Sequence, residues 1–123
     1  LDAGNYAMKI FSNGSSTGFA QSLTGTIAAF DTYLFCHSSH ALPLTPDQTS
    51  GTWFNGNDAV QLLKGTTVLD CFGQVGFDPG LQWGSGFCST TDNTIYKNLG
   101  IATCNPDTDC DDAFVPSTWA TGG

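Results

Sequence analysis

Residues 58–72 read DAVQLLKGTTVLDCF and carry the strongest structural signal in the chain. Two segments, Asp58–Leu63 and Thr66–Phe72, are rich in Val, Leu and Thr, and Lys64-Gly65 between them has the form of a two-residue turn. This pattern is typical of a β-hairpin. We therefore predict two antiparallel strands near the centre of the chain.

Further segments on both sides of the hairpin have strand character. Asn5–Phe11 alternates so that Tyr6, Met8 and Ile10 share one side. The other predicted strands are Thr17–Leu23, Thr32–His37 and Thr94–Leu99. The predicted loops are Ser38–Gly51, which two prolines interrupt, and the glycine-rich Gly73–Cys88, anchored by Phe77, Leu81, Trp83 and Phe87. Six or seven short strands without helical periodicity predict one all-β domain over residues 1–123, a β-sandwich or a small barrel.

The composition agrees with this fold class and limits the possible ligands. The chain has eleven Asp, no Glu, three Lys and no Arg, which gives a formal net charge of −8. Its polar residues are mainly Thr, Ser, Asn, Asp and Gly, which favour strands and turns over helices. Because three cations cannot supply the charge that dominates nucleic-acid binding, we exclude DNA and RNA as direct ligands. No run of residues is apolar and long enough for a membrane span.

The cysteines indicate disulfides rather than zinc ligands, because none forms a C-x-x-C pair. They are Cys36, Cys71, Cys88, Cys104 and Cys110. Cys104 and Cys110 flank a short loop, so we predict a disulfide between them. The other three permit three pairings and leave one cysteine over, which is either a buried thiol or a link to another chain. Disulfides favour an extracellular or cell-surface location.

One sequence motif is consistent with export. Asn13-Gly14-Ser15 is an acceptor sequence for N-glycosylation. The motif is short and frequent by chance, so it predicts a modified Asn13 only if the chain is secreted.

No catalytic site can be assembled from these residues, and we expect a protein that is not an enzyme. The Asp residues mostly lie beside Gly, Asn, Thr or Pro, where capping and turn roles are expected. No Ser stands in a nucleophile elbow. One acidic loop is a candidate calcium site, because alternate carboxylates at Asp107, Asp109 and Asp111 can converge on one hard cation. A solvated acidic turn is the alternative, and apart from calcium we expect no cofactor.

Two further groups of residues have both a structural and a functional interpretation. His37 and His40 lie close enough in sequence to hold a transition metal, although a surface loop with incidental histidines is the commoner case. Trp53, Trp83 and Trp119 could form an aromatic platform for sugars, although tryptophan in so small a chain is more often a core residue.

Several motifs together carry a family resemblance. They are TWFNGNDAVQL (52–62), VLDCFGQVGFDPG (68–80), WGSG (83–86), TDNTI (91–95) and FVPSTW (114–119). In this order they resemble the lamin-tail domain in its secreted microbial version. The resemblance implies an immunoglobulin-like β-sandwich without catalytic residues of its own.

The residues of these motifs also make physical sense as a scaffold. Asn55-Gly56 can adopt a positive φ in a tight turn, and Asp58 can accept backbone N–H groups where a strand begins. Gly73, Gly76 and Gly80 would allow a loop to lie close to the sheet.

The resemblance also implies an incomplete sheet. Members of the family usually have one or two strands ahead of the segment that Asn5–Phe11 resembles, and only four residues precede it here. We therefore expect a sandwich that lacks its first one or two strands and exposes an edge open to strand addition. The expected partner is a protein, either copies of this chain or the chain that supplies the missing strands.

These observations lead to three functional hypotheses. The first is a non-enzymatic extracellular structural or adhesion module, which could be a filament subunit completed by strand exchange with a neighbouring copy. The second is an accessory module of a secreted nuclease or phosphatase. The third is an adhesin domain that binds calcium or a glycan.

Overall fold

The computed structural model describes residues 1–86, 88–97, 110 and 119–121, and only the backbone of residues 88 and 119–121. Within these ranges the helices are two single turns of 3-10 helix, Ala3–Asn5 and Ser12–Gly14. The strands are β1 (Tyr6–Phe11), β2 (Phe19–Ser22), β3 (Phe35–His37), β4 (Gln48–Ser50), β5 (Ala59–Lys64), β6 (Thr67–Phe72), β7 (Gly84–Ser85), β8 (Cys88–Ser89), β9 (Ile95–Lys97) and β10 (Trp119–Thr121). The all-β prediction is confirmed.

Four strands form an antiparallel sheet in the order β2-β1-β5-β6, which we call the main sheet. Its β5–β6 hairpin turns at Gly65 and Thr66, and Gly65 has a φ of 58°, which glycine adopts without strain. The register shifts between Leu62 and Leu63, which marks a β-bulge. The predicted hairpin is confirmed, with its turn one residue later than expected.

Side chains alternate between the two faces of the main sheet. Ile10 pairs with Val60 on one side and with Phe19 on the other, so these three side chains share one face, called face A here. Phe72 pairs with Val60 and also lies on face A, as does Met8, two residues before Ile10. The alternation predicted for β1 is therefore confirmed.

Shorter strands and loops form a second layer over face A. β3 pairs with β4 in parallel, and β9 pairs with β10 antiparallel. The ring of Phe54 lies 5.7 Å from that of Phe72, and Lys97 of β9 forms an ion pair with Asp70 of β6. β4 lies inside the predicted loop Ser38–Gly51, so that prediction was wrong in part: a strand of three residues is too short to show alternation in the sequence.

The core lies at the end of the main sheet where β1 ends and β5 begins. Phe11, Ala59 and Trp83 are buried together, and Phe72 and Val75 pack against them. The Trp83 side chain thereby attaches the loop that follows β6 to the sheet.

That loop has fewer anchors than the sequence indicates. Trp83 is 2% exposed, whereas Leu81 is 91% exposed and does not anchor the loop. Phe77 is half exposed and lies beside Trp83, with ring centroids 6.1 Å apart. The prediction for Leu81 was wrong because a loop has no periodicity that separates inward from outward apolar residues. Phe87 lies outside the described residues.

Gly73 is the residue of this loop that lies closest to the sheet. A Cβ atom there would lie 2.9 Å from the Trp83 indole and 3.2 Å from the Cα of Ala59, and φ is 77°. Gly76 and Gly80 also have positive φ, but no atom lies within 4 Å of a Cβ built on either. The prediction of close approach is confirmed for Gly73 and wrong for the other two, which serve as turn residues.

We expect Gly73→Ala to lower the free energy of unfolding by about 2–4 kcal/mol, because left-handed strain and overpacking against Trp83 add together. Gly76→Ala is the matched control and should cost only the strain, about 1–2 kcal/mol. Urea unfolding of both variants measures the difference. Equal losses would contradict the close contact at Gly73.

The structure changes the predicted disulfide pairing. Cys110 is bonded to Cys71, with their Cα atoms 5.6 Å apart, so the predicted Cys104–Cys110 disulfide is wrong. Proximity in sequence favoured Cys104, whereas the fold brings Cys110 against β6 from 39 residues away. Cys36 of β3 is a buried free thiol, one of the two roles expected for an unpaired cysteine. Cys104 lies outside the described residues.

Candidate functional site

The outer edge of the main sheet at β2 is the candidate site. The amide of Leu23 donates to the carbonyl oxygen of Tyr6 at 2.9 Å, which fixes the alternation of hydrogen bonds between β1 and β2. Phe19 and Gln21 therefore direct their backbone groups towards β1. The backbone N–H and C=O of Ala20 and Ser22 point away from the sheet.

One end of this edge is capped by a side chain. The Gln48 amide donates to the carbonyl oxygen of Ser22 at 2.9 Å, as expected for a group that points outwards. The same side chain accepts from the backbone of Thr24 and from the hydroxyl of Tyr33. Within the described part of the chain, neither backbone group of Ala20 has a hydrogen-bond partner.

The opposite edge of the main sheet, at β6, is protected. Its bulge interrupts the regular ladder, and the Asp70 carboxylate accepts the outward N–H of Cys71 at 2.9 Å. The disulfide to Cys110 holds another segment against this strand, and the Gln61 side chain donates to the Cys110 sulfur at 2.9 Å. β2 has no bulge, proline or charged residue, which are the usual devices that prevent edge pairing.

A pocket of about 300 Å³ lies beside β2 on face A. Among the described residues, its lining is Ile10, Ser12, Phe19, Gly51, Thr52 and Trp53. Phe19 is 60% exposed and is the most exposed large apolar side chain in the described strands. The Trp53 ring packs against the ring of Phe35, with ring centroids 4.1 Å apart. The pocket thus lies at the edge of the sheet, and Ile10, Phe19 and Trp53 form its apolar lining.

A larger cleft of about 770 Å³ separates face A from the second layer. Its lining includes Met8, Val60 and Phe72 from face A, and Phe35 and Trp53 from the other side. The rest of the described lining consists of Tyr33, Leu34, Leu42, Phe54, Thr90, Asn93, Thr94 and Ile95. Trp53 therefore belongs to both concavities.

Trp83 does not form a platform with Trp53. The indole N–H of Trp83 donates to the carbonyl oxygen of Asp58 at 2.8 Å, and its ring is buried, so Trp83 has a structural role. Of Trp119 only the backbone is described. Among the described tryptophan side chains, Trp53 and the cleft beside it are what the glycan-platform interpretation can use.

Asp58 has the role that the sequence predicts. Its buried carboxylate accepts the backbone N–H of Asn13 at 3.2 Å and that of Asn55 at 3.4 Å, immediately before β5. Gly56, two residues earlier, has a φ of 114°, in agreement with the predicted turn. These polar groups hold loops together and are not directed at a ligand.

The remaining predicted site residues are separate from the β2 edge. Asn13 is exposed on the turn after β1, and its side-chain oxygen accepts from Asn57 at 3.1 Å. The predicted calcium ligands Asp107, Asp109 and Asp111 lie outside the described residues, so the calcium site stays a prediction. In the part of the chain that the structure covers, no three His, Cys or Asp side chains come together as a metal site, and the His37 ring is hydrogen-bonded to the backbone of Ser39 and Gly51.

Comparisons with known proteins return nothing: no family model, no curated protein and no solved structure matches this chain. Nor do the described residues include a helix long and apolar enough to cross a membrane. Sequence reasoning anticipated an open edge but did not identify Phe19 and Ala20. The available signal was a strand that contains no charge, proline or bulge residue.

Proposed function

We propose that this chain is a non-enzymatic extracellular structural module that assembles by strand addition at β2. One observation carries the proposal: Ala20 turns both of its backbone hydrogen-bonding groups outwards on an edge strand without protective features. Strand addition uses such groups for affinity and neighbouring pockets for selectivity. The pocket beside Phe19 is in the position that selectivity requires.

The polar motif residues support a structural role. The Asp58 carboxylate is occupied by backbone amides, and the Trp83 indole is occupied by a backbone carbonyl. Gly73 allows Trp83 to pack on the sheet. A lamin-tail-type module, in which these motifs build the scaffold, is the family we propose for the chain.

The covalent chemistry supports the extracellular location. The Cys71–Cys110 disulfide joins β6 to a segment 39 residues further along. Disulfides of this kind persist in oxidising compartments and are rare in the reducing cytosol.

Ala20→Pro tests the proposed function. Proline removes the outward N–H, and edge strands tolerate it because that N–H has no partner within the sheet. Ala20→Val is the matched control, since it keeps the N–H and favours strand geometry. We expect light scattering to show the wild-type chain and Ala20→Val assembling with rising concentration, and Ala20→Pro remaining monomeric. A monomeric wild-type chain, or an Ala20→Pro variant that assembles equally well, would overturn the proposal.

A further inference from the structure

The outward backbone groups of the β2 edge indicate which strand pairs with it. This inference rests on the proposed function. Because Gln48 occupies the Ser22 carbonyl oxygen, an added strand pairs most readily with the residues before Ser22. β2 begins at Phe19, and we extend its alternation by one residue beyond the strand, which turns the backbone of Gly18 outwards like that of Ala20. With this extension, Gly18 and Ala20 are the two hydrogen-bonding positions of the free edge.

These two positions suit a symmetric pairing. If β2 of a second copy runs antiparallel with Gly18 opposite Ala20, a two-fold axis relates the two strands and Phe19 lies opposite Phe19. Each Gly18–Ala20 pair exchanges two N–H···O=C bonds, so the contact forms about four hydrogen bonds. The Gln48–Ser22 hydrogen bond of each copy is retained in this register.

The exposed ring of Phe19 is explained by the same register. Phe19 directs its own backbone groups inwards, so the two facing residues form a non-hydrogen-bonded pair, in which opposing side chains lie closest. Both rings lie on face A, next to the pocket lined by Ile10, Thr52 and Trp53. A pocket of about 300 Å³ is at the lower limit for a small-molecule site but has room for an aromatic side chain.

Charge opposes a second copy less at this surface than elsewhere. Two chains of net charge −8 repel each other over most of their surfaces. Neither β2 nor the described lining of the pocket contains an Asp, so repulsion between two copies is smallest there. A two-fold contact also needs only one patch, whereas a filament through β2 would require a different surface on the neighbour.

We infer that β2 is a homodimerisation strand, paired antiparallel about Phe19, with each Phe19 ring inserted beside Trp53 of the other copy. The main sheets of the two copies then form one continuous eight-stranded sheet, since four strands come from each. The contact closes on itself, so a filament would need a second interface.

Cysteine cross-linking tests the register. Residues opposite each other at a non-hydrogen-bonded position have Cα atoms about 4.5 Å apart, within the range that a disulfide spans. We expect Phe19→Cys to form a covalent dimer in a glutathione redox buffer, with Ala20→Cys and Gln21→Cys cross-linking at least tenfold more slowly. The wild-type chain controls for native cysteines. Fastest cross-linking through position 20 or 21 would overturn this register.

A second set of variants distinguishes a wrong register from a failure of strand addition at β2. Phe19→Ala should weaken dimerisation at least tenfold, whereas Phe30→Ala, which removes another exposed ring outside β2, should leave it unchanged. If Phe19→Ala dimerises normally while Ala20→Pro does not, strand addition stands and the reciprocal Phe19 contact is wrong. If neither substitution affects assembly, the proposed function fails as well.

Discussion

Trp83→Ala is expected to lower the free energy of unfolding by about 3–5 kcal/mol, the range for truncating a buried aromatic residue. Trp83 is 2% exposed and fills the space between Phe11, Ala59 and Gly73. Its loss leaves a cavity and removes the donor to the Asp58 carbonyl oxygen. Since a domain of this size is stable by about 5–15 kcal/mol in total, the substitution should remove a large share of its stability.

Two variants separate the contributions of ring and hydrogen bond. Trp83→Phe keeps an aromatic ring but lacks the N–H, so it should cost less than Trp83→Ala while still losing the hydrogen bond, about 1 kcal/mol. Trp53→Ala controls for removal of an indole, and it should cost less than Trp83→Ala because Trp53 is only partly buried. Guanidinium unfolding followed by circular dichroism gives all three values. If Trp83→Ala costs no more than Trp53→Ala, Trp83 is not the centre of the core.

Loss of the Cys71–Cys110 disulfide is expected to cost about 4 kcal/mol, because the bond closes a loop of some forty residues in the unfolded chain. The variant that tests this carries both Cys71→Ala and Cys110→Ala. Cys36→Ala is the control: it removes a buried thiol without opening a cross-link and should cost about 1 kcal/mol.

Unfolding under non-reducing conditions measures these differences. A reducing agent should lower the stability of the wild-type chain and of Cys36→Ala, because it breaks the Cys71–Cys110 disulfide. The double variant lacks this disulfide and should not be destabilised by its reduction. A double variant as stable as the wild type would show that this disulfide contributes nothing. Mass spectrometry of a non-reduced digest would overturn the pairing itself if it found Cys104 joined to Cys110.

The parts of the fold that sequence reasoning predicted are those with a local physical cause. The β5–β6 hairpin has strand residues on both sides of a glycine turn, and β1 alternates over its whole length, so both were predictable. Asp58 was predictable as a strand-entrance acceptor because Asp side chains readily accept backbone N–H groups in the turn before a strand. β4 was missed because three residues show no period.

The errors in prediction share a different cause. The Cys71–Cys110 pairing depends on how a distant segment folds back on β6, and no local pattern encodes that contact. Leu81 resembles an anchor in composition, but its exposure depends on the path of a glycine-rich loop. The candidate site was predictable only as an open edge somewhere in the sheet. Its position depends on the strand order, which places β2 and β6 at the two edges, and on the contacts of Asp70 and Cys110 that protect β6.

Residue-specific hydrogen exchange at Ala20 tests the central claim most directly, because its amide has no hydrogen-bond acceptor within the described part of the protomer. The amide of Gln21, which faces β1, is the internal reference and should be protected at every concentration. If the chain assembles through β2, protection of the Ala20 amide should rise with protein concentration and disappear on dilution. If Ala20 exchanges freely at concentrations where light scattering shows an oligomer, the chain assembles through another surface and the account is wrong.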